Sequence, residues 1–253
     1  MKRLWVLGLL ATVAACSTKP VPPVTVQPPP PPQSGPKAVE ARLYDDEAAA
    51  LKAYPKFARR EGDKLVLSYD GRDIVRLTST PESACEGWET CSLWSFAGLI
   101  QLKDGPVAVV YREHGEGDNY ILFDRSGKSQ WLAGAPMASP GGRYIASGIM
   151  ASPLSDGLIE IVDWHASPRA IVDSDSWCEP VAWRDALRLK LRCNRDGENQ
   201  APAFEAEAVL TGNAWQLTSA QPVLPFKPRP PQTAQERAES HTWEKDVGIE
   251  RLP

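Results

Sequence analysis

Most of the chain alternates short apolar runs with turn residues, which is the pattern of antiparallel β-strands. Apolar runs at 65–69 and 74–77 flank Asp70-Gly71, and this predicts a hairpin because Asp-Gly suits a two-residue turn. Further runs predict strands at 99–102, 107–111, 120–123, 129–132, 144–148, 159–163, 170–172, 181–183, 187–193, 203–210 and 215–219. We therefore predict an all-β chain.

Two short helices are predicted at the flanks of this β region. The first covers residues 45–54, with aspartates at its start, an alanine-rich middle and a proline at its end. The second begins at Thr233, where Glu236 gives a capping-box spacing. We expect this helix to pack across the domain with Trp243 as its anchor; the alternative is a solvated tail.

A weak repeat runs through the strand region. Residues 120–124 and a strand at 130–132 match residues 159–163 and 169–171, with Asp124 and Asp163 39 residues apart. A less similar third copy covers residues 206–217. This spacing lies within the period of a propeller blade.

The segment 139–146, Ser-Pro-Gly-Gly-Arg-Tyr-Ile-Ala, lies between the first two copies and resembles the repeat of TolB-type and related WD40-like β-propellers. Gly141 stands where that repeat has aspartate. The resemblance implies an irregular, propeller-like stack of about four small antiparallel sheets, each shielding its neighbour. A β-sandwich or a barrel is the alternative, since both use the same alternation of apolar and polar positions.

The first sixteen residues have the order of an export signal. Lys2 and Arg3 precede an apolar run at 4–13 that is too short to span a bilayer, and Ala14 and Ala15 precede Cys16. The sequence 13–16, Val-Ala-Ala-Cys, resembles the lipobox of bacterial lipoproteins. The resemblance implies cleavage before Cys16, acylation of that cysteine and, from Ser17, passage to the outer membrane. The alternative is an ordinary signal peptide followed by an accidental cysteine.

The predicted organisation has four parts. Residues 1–15 are the signal peptide, and 16–36 are the lipidated cysteine and a proline-rich linker. Residues 37–221 form the β-rich domain, and 222–253 contain a second proline-rich segment and the C-terminal helix. The linker favours extended polyproline II and would act as a stalk, or as a docking motif for a proline-recognising partner.

The charge of the mature chain limits its partners. Removing residues 1–15 takes away Lys2 and Arg3, so 28 − 2 = 26 basic side chains face 32 acidic ones, a balance of −6. A mildly acidic protein has no electrostatic footprint for nucleic acid. We expect the membrane to be reached through the lipid anchor at Cys16.

Four cysteines remain after Cys16, and an even number in an exported chain favours disulfides. Three pairings are allowed. If a turn places Arg184 opposite Leu187, Cys178 falls opposite Cys193, at disulfide distance across two strands. Cys85 and Cys91 would then close a short loop. Zinc is the alternative, although no CxxC pair or cysteine–histidine cluster is present.

No linear motif indicates catalysis. His114, His165 and His241 lie in separate segments, and we interpret them as surface or turn residues. The chain contains no P-loop, nucleophile elbow or HExxH motif. The loop 113–119, rich in acidic residues and glycine, is the best metal candidate, but we favour a solvated hairpin loop. We therefore predict that the protein is not an enzyme and that it binds no cofactor and no metal.

Tryptophan is the most informative binding residue. Trp88 lies inside the predicted Cys85–Cys91 loop. A loop closed by a disulfide would present this side chain rigidly to a partner; the alternative is that Trp88 packs on the disulfide itself. Trp177, beside Cys178, is a second candidate. The function we predict is a lipid-anchored envelope protein whose β domain binds another envelope protein. A module for cell-wall or surface polysaccharide is the alternative, and an envelope hydrolase comes third.

Overall fold

The computed structural model describes residues 41–85, 91–114, 117–150, 157–194 and 202–253. In these residues the chain forms four small antiparallel sheets, none closed into a barrel. The predicted all-β class is confirmed, as a stack of small sheets instead of a barrel or a two-sheet sandwich. The strands are β1 (Ala58–Glu61), β2 (Lys64–Tyr69), β3 (Arg72–Thr78), β4 (Leu93–Leu102), β5 (Gly105–His114), β6 (Gly117–Phe123), β7 (Ser129–Leu132), β8 (Met137–Ala138), β9 (Tyr144–Ile149), β10 (Leu158–Asp163), β11 (Ala170–Ser174), β12 (Cys178–Asp185), β13 (Arg188–Cys193), β14 (Phe204–Thr211), β15 (Ala214–Ser219), β16 (Lys227–Pro228) and β17 (Ile249–Arg251).

The first sheet joins the two ends of the described chain, in the order β1-β2-β3-β17. The predicted hairpin between β2 and β3 is confirmed. Asp70 and Gly71 both have positive φ, 52° and 77°, as a tight turn of the primed type requires. Ile249 of β17 lies opposite Leu77 of β3, so the last strand completes the first sheet.

The other three sheets follow the chain as meanders. The second has the order β4-β5-β6-β7, the third β8-β9-β10-β11 with β16 added at its edge, and the fourth β12-β13-β14-β15. The predicted repeat falls on equivalent strands: β6 and β10 are the third strands of their sheets, and β7 and β11 the fourth. The third copy covers β14 and β15, the third and fourth strands of the last sheet.

Each pair of consecutive sheets shares a hydrophobic core. Ile121 of β6 packs between the first and second sheets, while its neighbour Leu122 packs between the second and third. In β10, Val162 belongs to the second of these cores and Ile161 to the core between the third and fourth sheets. Successive residues of a strand point to opposite faces, so an inner sheet buries both. Among the described residues, no hydrophobic cluster joins the fourth sheet to the first.

Residues 220–251, which we call the C-terminal strap, run back from the fourth sheet to the first. The backbone N–H of Leu224 donates to Ser176 Oγ (2.8 Å), and β16 pairs with β11. Trp243 then packs on Trp131, with ring centroids 4.6 Å apart, before β17 joins the first sheet. The predicted packing of the C-terminal helix through Trp243 is confirmed, and the solvated tail is wrong.

Both predicted helices are present, as α1 (Glu47–Ala53) and α2 (Ala234–Asp246), together with a 3-10 turn at Glu82–Ala84. Asp46 caps α1 by accepting hydrogen bonds from the N–H groups of Ala48 and Ala49. Thr233 and Glu236 form the predicted capping box of α2. Neither helix in the described ranges has the length and apolarity needed to cross a membrane.

The structure corrects the predicted turn between β12 and β13. Arg184 does not face Leu187; the turn pairs Asp185 with Arg188. Two β-bulges in β12 shift the register, one between Pro180 and Ala182 and one between Trp183 and Asp185. Cys178 still lies opposite Cys193, because the register before the first bulge is the predicted one.

Several strands were not predicted. β4 begins at Leu93, six positions before the predicted strand, and β1, β8, β16 and β17 had no prediction. The last three have only two or three residues each, too few for alternation to be recognised. Their pairing depends on distant partners.

Candidate binding groove

A groove of about 800 Å³ lies where the second, third and fourth sheets meet. Its walls are the segments 99–102 of β4, 136–142 around β8, and 181–183 of β12, with residues 41–43 along one side. Each of the three strands is the edge strand of its sheet. An edge strand carries backbone N–H and C=O groups that its own sheet leaves unpaired on one side, so the groove is a place where an additional extended segment can bind.

The side chains in the groove are mostly apolar. Val181 is the bulged residue of β12, and this turns it outward, where 44% of its surface is exposed. Trp183 is half-buried, and its indole N–H donates to the carbonyl of Met137 (3.0 Å), which fixes the fourth sheet against the third. Arg42 supplies the one charged side chain among the residues that line the groove. This arrangement suits the binding of an uncharged or acidic extended segment.

Residues 42–44 already occupy one edge of the groove. The N–H of Tyr44 donates to the carbonyl of Ala97 (2.8 Å), and the N–H of Leu99 donates to the carbonyl of Arg42 (3.1 Å). Leu43 thereby forms an antiparallel bridge with Gly98. An extended segment is thus bound at the edge of β4 by main-chain hydrogen bonds.

Gly98 makes this pairing sterically feasible. It lies at the bulge of β4 with a φ of 125°, in the region that favours glycine. A Cβ at this position would overlap the carbonyl oxygen of Arg42. The glycine therefore allows the segment 42–44 to approach β4 closely.

The predicted disulfides are confirmed. Cys85 and Cys91 are bonded, with Cα atoms 5.4 Å apart, and Cys178 and Cys193 are bonded across β12 and β13, with Cα atoms 4.0 Å apart. The zinc alternative for these cysteines is therefore wrong.

The other predicted site residues do not line the groove. Cys16 and Trp88 lie outside the described residues. Trp177 is half-buried beside the Cys178–Cys193 disulfide and lines a separate, smaller pocket.

A buried arginine holds the base of the Cys85–Cys91 loop. Arg112 donates to Ser92 Oγ (2.7 Å) and to the carbonyl of Cys91 (3.1 Å). Its guanidinium lies over the rings of Trp94 and Trp243, 5.8 and 5.2 Å from their centroids. Burial lowers the pKa of Arg112 to about 10. Arg112 thus connects the loop to α2, a link that the sequence did not indicate.

The three histidines stay apart, as their separate segments suggested. The Nε2 atom of His114 lies 3.2 Å from Asn119 Oδ1, in the hairpin that joins β5 to β6. The Nδ1 atom of His165 lies 3.0 Å from Asp104 Oδ2, and His241 contacts Glu244 on α2. In the part of the chain that the structure describes, no three His, Cys, Asp or Glu side chains gather into a group that could hold a metal.

The groove residues themselves were missed by sequence analysis. Val181 and Trp183 were assigned to a strand, but their exposure follows from a bulge and from the position of that strand at an edge. The one available signal was Pro180, which is excluded from central strands because it has no N–H to donate.

No protein-family model, no curated protein and no solved structure matches the chain. The resemblances to bacterial lipoproteins and to TolB-type repeats therefore stay predictions.

Proposed function

We propose that this protein is a lipid-anchored envelope protein that binds an extended segment of a partner protein in the groove of its sheet stack. The observation that carries the proposal is the pairing of residues 42–44 with β4. The edges of β8 and β12 offer the same kind of main-chain groups beside it. Addition of a strand to a sheet edge is a common mode of peptide recognition, in which pockets beside the edge select the side chains.

A propeller-like arrangement accounts for the position of the groove. In a propeller, the first strand of each blade faces the axis. Here β4, β8 and β12 are the first strands of their sheets and line one groove. We propose that the four sheets are blades of an irregular, open propeller, with β17 completing the first blade. The first strand of that blade, β1, does not line the groove, and no hydrophobic cluster of the described residues joins the fourth sheet to the first.

Two features support a location in the cell envelope. The order of residues at 2–16 resembles that of a lipoprotein signal, and acylation at Cys16 would supply the membrane anchor. Two disulfides are present in the described residues, and such bonds persist in oxidising compartments.

The groove is tested by photo-crosslinking in intact cells. A photo-reactive residue at position 181 should give a discrete adduct with a partner. The same residue at 187, in the β12–β13 turn, should not, although Leu187 is as exposed (45%) as Val181. Val181→Asp should abolish binding of the isolated partner and Leu187→Asp should leave it unchanged. Equal adducts from both positions, or no effect of Val181→Asp, would exclude the groove as the binding site.

The anchor is tested by mass spectrometry of the protein from its native membrane. We expect an N-terminal acylated Cys16, and we expect Cys16→Ser to release the protein into the soluble fraction. An unmodified thiol at Cys16 or an intact leader would refute the anchor. Trp88→Ala, in the Cys85–Cys91 loop, separately tests whether that loop takes part in partner binding.

A further inference from the structure

A second pocket, of about 310 Å³, lies at the end of the fourth sheet and shares no lining residue with the groove. It is lined by Trp177 and Asn194, which flank the Cys178–Cys193 disulfide, and by Phe204 of β14 and Leu224 of the C-terminal strap. Its size is at the lower end of the range for small-molecule sites, which suits a single compact unit.

The walls of this pocket are held in place by bonds that involve no ligand. The disulfide joins β12 to β13, and the N–H of Asn194 donates to the carbonyl of Trp177 (2.8 Å). On the strap side, Ser174 Oγ donates to the carbonyl of Leu224 (2.7 Å), and Ser176 Oγ accepts from its N–H (2.8 Å). A pocket that is already formed loses little conformational entropy on binding.

Asn194 contributes an amide to the lining of the pocket. The residue is 8% exposed, and no hydrogen bond joins its side-chain amide to another described residue. An amide has two N–H donors and one carbonyl acceptor. A ligand with its own amide can satisfy both the donor and the acceptor.

The remaining lining is apolar and aromatic. Phe204 is half-buried, and Leu224 is 49% exposed at the rim. The indole of Trp177 is half-buried, and Gly157 packs so closely on it that a Cβ at 157 would overlap the ring. Asp175 is exposed at the rim, where its carboxylate can accept hydrogen bonds from hydroxyl groups. A flat aromatic side chain beside polar groups suits a ligand with an apolar face and several hydroxyls.

We propose that this pocket binds an acetamido sugar. The acetamido group pairs its N–H and C=O with the amide of Asn194, and its methyl group packs against Phe204 and Leu224. The sugar ring lies on the indole of Trp177, and a ring hydroxyl donates to Asp175. The protein would thus hold a glycan at a site separate from the partner groove.

The test uses the full chain in detergent and triacetylchitotriose as the probe, with cellotriose as the matched sugar that lacks acetamido groups. Isothermal calorimetry should give saturable binding of the first and none of the second. Asn194→Asp, which removes both N–H donors, should weaken binding at least fivefold. Asn213→Asp, at an exposed turn, should leave binding unchanged.

Thermal unfolding confirms that each variant is folded. If Asn194→Asp does not fold, Trp177→Phe provides the second variant, and it too should weaken binding several-fold. Absence of saturable binding, equal affinity for cellotriose, or unchanged affinity in the folded variants would overturn the proposal. The partner groove is unaffected by each of these results, because its crosslinking at position 181 involves none of these residues.

Discussion

Arg229 provides the sharpest test of how the C-terminal strap is held. Its guanidinium donates to Asp173 Oδ2 (2.7 Å) and to Glu160 Oε2 (3.1 Å) of the third sheet. The side chain of Glu160 is 2% exposed, and its other oxygen accepts from the N–H of Ala133 (2.8 Å). Arg229→Met keeps much of the side-chain volume and removes the charge, so that Glu160 is left buried without a cation.

The loss of stability expected in Arg229→Met follows from the burial of Arg229 and Glu160. Removing one partner of a buried ion pair costs about 3–5 kcal/mol, because the remaining charge is uncompensated. The Arg229 side chain is 36% exposed, and water can reach the space it leaves. We therefore expect a loss near the lower end, about 3 kcal/mol. For a domain of this size the melting temperature should fall by about 6–12 °C.

The assay is urea and thermal unfolding of the oxidised protein, with two matched variants. Arg143→Met removes a pair with Asp163 in the same sheet, but Arg143 is 60% exposed, so its loss should cost less than about 1 kcal/mol. Adding Glu160→Gln to Arg229→Met should restore most of the lost stability, since no buried charge remains. Similar losses in the two arginine variants, or no rescue by the glutamine, would refute this account of the strap.

The pH dependence of the unfolding free energy tests the interaction of Arg229 with Glu160 independently. Burial raises the pKa of Glu160 above its ordinary value, although Ala133 and Arg229 act in the opposite direction. The folded protein therefore binds this proton more readily than the unfolded chain, and the contribution of Glu160 to stability falls as pH rises through its raised pKa. Arg229→Met removes a stabilising cation and should enlarge this fall. The difference in unfolding free energy between wild type and Arg229→Met should accordingly shrink as the pH is lowered toward the ordinary pKa of glutamate.

Further predictions concern the groove, the disulfide and α2. Gly98→Ala should cost about 2–4 kcal/mol in urea unfolding, because its φ of 125° and its overlap with the segment 42–44 both oppose a Cβ. Gly62→Ala, with a φ of 66° and open space around it, should cost about 1–2 kcal/mol, and an equal loss at both positions would contradict the reasoning. Replacing Cys178 and Cys193 by serine should cost about 3 kcal/mol for a closure of this length, and an unchanged melting temperature would argue against it. Thr233→Ala should cost about 1 kcal/mol and speed hydrogen exchange in the first turn of α2; unchanged exchange there would show that the cap contributes nothing.

The sequence by itself determined the local elements. Alternation of apolar and polar residues gave most strands, Asp70-Gly71 gave a turn, and Thr233 with Glu236 gave the start of α2. The pairing of Cys178 with Cys193 was predicted because both lie in one hairpin, but counting outward from the actual turn, Asp185–Arg188, does not pair them; the two bulges in β12 restore the pairing. These features depend on residues that are close in the chain, and their physical causes act over a few positions.

Only the tertiary structure decided which surfaces remain available for binding. The groove arises because three edge strands from different sheets meet, and Val181 is exposed because a bulge interrupts the register of β12. Arg229 contacts Glu160, 69 positions earlier in the chain, only because the C-terminal strap packs against the third sheet. No local pattern specifies such contacts, because they depend on how four separately formed sheets pack against one another.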